Sequence, residues 1–400
     1  MSNLLKDASI LLTPTGYDDG SMNSIKPENG DGDFTFSRGS AATRVNAQGL
    51  VEEITGLNIP RINYEDGCGS WLLEPQRTNS LLQSNQFDTT WTTTNSSVTS
   101  GQTGVGGSSN AWLLESTGDV SSARITQTVS VSGDLSYSFY AKKGTTDSLG
   151  LRSQDSGTAT WFNLSSGVVY STGSAASNAQ IKDVGNGWYR CSIVFDSCTS
   201  VRIYFSNSPG SYVVSDGANI YIQYSQLELG GFTTSYIPTS GASATRLADI
   251  ATDSGNSTLI NSTEGVLYVE ISALANDGTT RRLCLSDGTS SQKVLITFSA
   301  TTNRIQFEVI NSTNQFYKEY VSSDLLDFHK LAIKYKQNDF SVYVNGSKIH
   351  SSTSGNVPSA LSKLSFDNGI GSQNFFGKSK ALAVYKEALT DAQLQSLTTQ

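Results

Sequence analysis

Chemistry at neutral pH needs particular side chains at particular spacings, and this chain holds few of them. Its only imidazoles are His329 and His350, and its only thiols are Cys68, Cys191, Cys198 and Cys284. No two cysteines stand at the two-residue spacing of a zinc knuckle. There is no His-Glu-x-x-His, no phosphate-cradling glycine loop and no Gly-x-Ser-x-Gly in a strand-turn-helix setting. Glycoside hydrolysis asks for two carboxylates about 5 to 10 Å apart. Glu270 is read without a partner carboxylate on its strand face, and Glu308 stands alone in its strand. His329 opens a strand and His350 ends one, which suits structural or exposed histidines. The expectation is therefore no catalytic residue and no enzyme.

Reversible binding needs less. Sugars are held by aromatic faces against their C–H surfaces, with amides, carboxylates and guanidiniums taking the hydroxyls. Trp161, between Thr160 and Phe162, and Tyr170 fall in a Gly/Ser-rich region and are the aromatic candidates. Trp188 starts a continuous apolar strand and reads as core. Arg38, Arg44, Arg61 and Arg77 recur among short strands; pairing with Glu52, Glu53, Glu65 or Glu74 is preferred over an anion or sugar-acid site. Asp18-Asp19-Gly20 and Asn29-Gly30-Asp31-Gly32-Asp33 gather oxygen ligands on tight loops. They lack the distal glutamate of an EF-hand and are expected to be solvated turns. No cofactor is expected, calcium being the one left open, and no metal ligands are assigned.

The elements that must position these residues are strands. Charged residues make up 16% of the chain and aromatics 10%. That content is apolar enough for packed cores and suits all-β structure with hydroxyl-rich turns. A net charge of −8 argues against nucleic acid as a partner. No apolar run is long enough for a transmembrane helix, and the first residues lack the pattern of a signal peptide. Ile125, Gln127, Val129 and Val131 alternate with polar residues, Gly133-Asp134 reads as a turn, and Tyr137, Phe139 and Ala141 share the next strand face. Further strands follow at Trp188–Phe195, at Val201, Ile203 and Phe205, and at Ile220, Ile222 and Tyr224. After a polar connector, Leu267/Val269/Ile271, Val294/Ile296/Phe298, Ile305/Phe307/Val309, His329–Tyr335 and Phe340/Val342/Val344 repeat the pattern. Asn345-Gly346 is a hairpin turn. Thr390 and Gln393 form a capping box for one short helix with Leu394 and Leu397 facing inward. Cys191 and Cys198 could bridge across adjacent strands; buried thiols are the preferred reading.

Three sets of phrases carry resemblances. Phe34–Arg44, Asn46–Val51, Ile59–Tyr64 and Leu72–Asn79 resemble, in wording and spacing, a module of bacteriophage tail-fibre, head-fibre and adhesin-like virion proteins. Tyr137–Lys142, Gly187–Arg190, Gln226–Gly230 and Thr234–Thr239, closing on Ala244–Asp249, resemble the carbohydrate-binding-module-like jelly roll of phage fibres. Asp339–Gly346, Gly377-Lys378, Leu382–Tyr385 and Ala388–Asp391 resemble the laminin-G or concanavalin A-like lectin and glucanase superfamily. The last resemblance implies that Asp287, Asn311 and Asn345, on loops, are where a lectin-like domain can hold a ligand or calcium.

The sequence thus predicts an all-β protein. Residues 1–33 form a candidate virion-attachment segment and 34–82 a loop-rich module. A jelly-roll sandwich follows over 83–249, a linker over 250–264 and a concanavalin A-like sandwich over 265–400, with one short terminal helix. The resemblances imply a virion surface protein, synthesised in the bacterial cytoplasm, that binds bacterial surface polysaccharide. Its further partners would be other virion proteins and copies of itself, as a trimer or dimer, with no nucleic acid or membrane partner. The alternatives are a purely structural decoration or tail-collar protein, and a glycan depolymerase.

Overall fold

The computed structural model describes residues 3–18, 20–153 and 157–399. The described chain is all-β, with short 3-10 turns and one terminal helix, and it divides into two compact units.

The first unit comprises 1–40, 56–75 and 247–400. Its larger sheet runs in the order Ser347–Ser352, Phe340–Val344, His329–Lys336, Glu264–Ala273, Gly377–Tyr385, Ser70–Leu73, Arg61–Asn63. Its smaller sheet runs Thr313–Val321, Arg304–Asn311, Gln292–Phe298, Arg281–Ser286, Lys363–Ser365. Strict alternation places Leu267, Val269 and Ile271 in one core with Leu283, Ile296 and Phe307. The opposite face of the larger sheet carries Val266, Tyr268 and Tyr343, which pack with Leu394 and Leu397 of helix Asp391–Thr398. Thr390 Oγ1 accepts from the Gln393 N–H, and the Gln393 side chain accepts from Thr390, completing the expected capping box. Asn345 and Gly346 take φ of 47° and 80°, the two left-handed residues a tight hairpin requires.

The second unit comprises 41–55 and 76–246. Two long strands, Arg124–Lys143 and Trp188–Ser206, pair antiparallel along most of their length and link its twelve-stranded sheet. Ile125 and Phe139, from opposite halves of the first, reach the same apolar cluster as Ile203 and Ile193 of the second. The expected turn at Gly133-Asp134 is instead an irregularity inside a continuous strand, between the pairs Ser132↔Ser197 and Leu135↔Phe195. Gly133 takes φ of 107°, which serves a bulge as well as it would a turn.

The division differs from the expected boundaries, and pairing explains why. In the first unit, Ile10–Leu12 pairs with Gly377–Tyr385, so part of the 1–33 segment is an integral strand. There too Thr35–Ser37 pairs with Ile250–Thr252, and Ile260 is buried, so 250–264 is core structure as well as connection. In the second unit, Ala42–Val45 forms a hairpin with Val51–Ile54, and Arg77–Asn79 pairs with Ala244–Arg246. Residues 34–82 are therefore shared between the units. Cys191 and Cys198 lie in the same strand, and all four cysteines are free.

Candidate functional site

In the second unit, strand Asn219–Leu229 alternates regularly until Gln223, which stands opposite Tyr140; the next aligned pair is Gln226 with Ser138. The extra residue makes a bulge, and Tyr224 there takes φ of 51°. A bulky side chain rarely holds that left-handed conformation, and such strain, about 1 to 3 kcal/mol, collects where a side chain is re-aimed. The Tyr224 ring stacks on Tyr236 with centroids 4.2 Å apart and meets Tyr140 edge-on at 5.6 Å. Tyr236 is anchored by a 2.6 Å hydrogen bond shared with Ser84 Oγ.

Side-chain amides fix the other wall. Asn85 Oδ1 accepts from the Tyr224 backbone N–H at 3.2 Å, and Asn85 Nδ2 donates to the Asn110 carbonyl at 2.9 Å. Asn110 Nδ2 donates to the Tyr224 hydroxyl at 3.3 Å, while its Oδ1 accepts from Gln223 Nε2 at 2.7 Å. Gln223 Oε1 accepts from the Val105 N–H at 2.8 Å. Gly104 makes room, because a Cβ there would lie 2.4 Å from Asn110 Oδ1 and 2.5 Å from Gln223 Oε1.

These groups frame a cleft of about 320 Å³, within the usual size of a small-ligand site. Glu53, on strand Val51–Ile54, reaches it exposed and without an ion pair among the described residues. The Thr239 hydroxyl, buried in the cleft wall, has no hydrogen bond. Burial raises the Tyr224 hydroxyl above its ordinary range; the Asn110 bond opposes that and the Glu53 carboxylate adds to it. An aromatic stack, a solvated carboxylate and an orphaned hydroxyl converge, which suits a polyhydroxylated ligand.

The expected site residues fare differently. Trp161 is 3% exposed, packed edge-on against Tyr212 at 5.2 Å beside Ala159 and Tyr204, so the expected platform is corrected to a core residue. All five tryptophans are buried. Tyr170 is 61% exposed, the extra residue where Trp161 faces Ser171 and Phe162 faces Val169. In the first unit, Asp287 Oδ1 closes its own turn by accepting from Thr289 N–H and Oγ1 at 2.8 and 2.7 Å. Asn311 Nδ2 donates to the Val357 carbonyl at 2.9 Å and its Oδ1 accepts from Gln292 at 3.1 Å. Asn345 Oδ1 accepts from the Lys330 N–H at 2.9 Å. Asp287 thus holds its own turn, while Asn311 and Asn345 are tied to neighbouring segments. His329 is buried, its Nε2 within 2.8 Å of the Asp324 carbonyl and 3.0 Å of Ser322 Oγ.

The arginines are mostly structural. Arg44 pairs with Glu52 at 3.1 Å, and Arg61 with Glu74 at 2.8 Å and with Asp249. Arg38 pairs with Asp249 at 2.9 Å, a partner the sequence did not suggest, and Arg77 lies over the Phe232 ring at 4.8 Å. Of the calcium candidates, Asp19 lies outside the described residues. Asp33 accepts from Ser24 N–H at 2.8 Å, and Asn29 Oδ1 accepts from Asp31 N–H at 3.1 Å. Among the described residues no three His, Cys, Asp or Glu side chains are grouped to hold a metal ion. Tyr224, Asn85, Asn110 and Glu53 were not among the expected site residues. Ile220, Ile222 and Tyr224 look like one apolar face, and nothing in the sequence marks the bulge that interrupts it.

Residues 266–395 match the family model of the concanavalin A-like lectin/glucanases superfamily, so this part of the first unit has a lectin-like fold. No curated protein matches the chain. Among solved structures, the chain is similar to the CBM40 of a Ruminococcus gnavus IT-sialidase, with 13% identity and a TM-score of 0.31 over 37% of this chain and 93% of that one. It is also similar to domain 4 of AbnA, a GH43 extracellular arabinanase of Geobacillus stearothermophilus in complex with arabinotriose, with 15% identity and a TM-score of 0.32 over 43% and 84%. A third is the botulinum neurotoxin serotype G binding domain, with 14% identity and a TM-score of 0.29 over 37% and 40%. At such scores these likenesses carry no ligand across to this chain.

Proposed function

We propose that this chain is a surface protein of a bacteriophage particle that attaches it, without chemistry of its own, to bacterial surface polysaccharide. The observation that carries the binding part is the Tyr224 cleft, where a strained aromatic, an unpaired carboxylate and an orphaned hydroxyl meet. The lectin-like fold over 266–395 supports it, and the virion setting rests on the fibre-type phrases between Phe34 and Asp249. Many copies on one particle would multiply weak single sites into firm attachment. Other virion proteins and a second or third copy of the chain are the further partners in this reading, and calcium is not needed for it.

The test is incubation of the purified protein with polysaccharides from candidate hosts, following retention and polymer size together. Retention at unchanged size, weakened about tenfold or more by Tyr224→Ala and unaffected by chelation, is the expected result. Loss with Tyr170→Ala instead would move the site to that exposed ring. Shortening of the polymer would establish a depolymerase, and neither retention nor shortening would favour a purely structural role.

A further inference from the structure

A second cleft, of about 620 Å³, opens in the first unit, on the side of the larger sheet away from its main core. Lys330 and Lys380 line it, together with Glu270, Tyr64 and the hydroxyls of Thr13 and Thr15. Lys330 stands directly opposite Glu270 in register. Cross-strand neighbours of opposite charge ordinarily pair. Here they do not: the Lys330 amine donates to the Thr399 carbonyl at 3.0 Å and forms no ion pair among the described residues. Lys380 holds its amine 3.9 Å above the Phe328 ring, likewise without a carboxylate partner among the described residues. Both lysines are half-buried, and each amine keeps donors in reserve. Gly69 fits closely against the Tyr64 ring in the cleft wall, where a Cβ would lie 3.2 Å from its atoms.

We propose that this cleft binds an acidic saccharide, one ring carboxylate lying between the Lys330 and Lys380 amines. The two ammoniums and one carboxylate leave a single positive charge, which matches a monoanion. Glu270 would repel a dianion such as phosphate, while it can accept hydrogen bonds from the hydroxyls of a sugar. The Tyr64 ring and the threonine hydroxyls offer the mixed apolar and polar wall that a pyranose needs. This site is separate from the Tyr224 cleft and requires nothing of it.

The experiment is calorimetry of the full chain with a defined glucuronate-containing tetrasaccharide and with its carboxyl-reduced form. The acid is expected to bind at least about tenfold tighter than the reduced form, with Lys330→Gln and Lys380→Gln each removing about tenfold. Glu270→Gln should strengthen binding several-fold, a direction that damage to the fold would not produce. Inorganic phosphate at equal concentration should fail to compete. Absence of binding, equal binding of the reduced form, displacement by phosphate, or lysine variants that bind as tightly as the parent protein would each overturn the proposal.

Discussion

Arg61 and Asp249, 188 residues apart in sequence, form an ion pair in the first unit with both side chains fully buried. The same aspartate takes Arg38 at 2.9 Å and accepts from the Glu74 backbone N–H at 2.8 Å, and Glu74 returns to Arg61. Burial alone would lower the Arg61 pKa, but the Asp249 and Glu74 carboxylates raise it above its ordinary value. Two cations and two anions thus balance in charge, and neutralising Asp249 removes the carboxylate that both arginines share. Asp249→Asn is expected to cost about 3 to 5 kcal/mol, read as a lower urea midpoint. A change under about 1 kcal/mol would show that water or rearrangement compensates.

That set gives separate phrases between Phe34 and Asp249 a common structural role. Arg38, Arg61, Glu74 and Asp249 come from four separate phrases, and the fold gathers their charges. The phrases were visible in sequence, but the convergence was not, because pairing across 211 residues, as between Arg38 and Asp249, leaves no local trace. Local chemistry was legible: the Asn345-Gly346 turn, the Thr390 cap and the alternation of Leu267, Val269 and Ile271 depend on neighbours in sequence. The Tyr224 site was not, since one extra residue in a ladder reverses which face the next side chain takes. Trp161 misled for a related reason: its Gly/Ser-rich surroundings made it an aromatic candidate, yet strand Thr160–Asn163 buries it.

The cysteines offer a simple check of packing. Cys68 is exposed, and Cys191, Cys198 and Cys284 are buried. Burial pushes the Cys284 thiol up to about 12 and the Cys191 thiol well above its ordinary value, so neither supplies thiolate at neutral pH. A disulfide reagent such as Ellman's is expected to titrate one thiol in the native protein and four after unfolding. Two thiols missing from the unfolded count would indicate a bridge that the shared strand of Cys191 and Cys198 does not favour.

Buried tyrosines set the alkaline limit of stability. Burial raises the hydroxyls of Tyr137 and Tyr335 far above 10.0, with a bond to Ser225 Oγ partly opposing it at Tyr137. In the unfolded chain each ionises at about 10. The folded protein therefore binds more protons above that pH, so their contribution is fully present below it and declines as pH rises. Urea midpoints should hold steady to about pH 9 and fall above about pH 10. Tyr137→Phe should flatten the fall, and a decline already complete at pH 9 would implicate other groups.

Tyr224 allows strain and recognition to be separated. Its φ of 51° suits glycine, whereas an alanine there keeps the left-handed penalty of about 1 to 2 kcal/mol. Both Tyr224→Gly and Tyr224→Ala delete the ring stacked on Tyr236, so both should lose polysaccharide retention about equally. They should differ in stability, the glycine variant melting higher by an amount equivalent to about 1 kcal/mol. Trp161→Ala makes the opposite contrast: it empties a buried site, should cost about 3 to 5 kcal/mol, and should leave retention by the folded fraction intact. Thermal melts and retention measured on the same three variants decide the matter. Retention surviving in Tyr224→Gly but lost in Tyr224→Ala would mean that the backbone bend, and not the ring, holds the ligand.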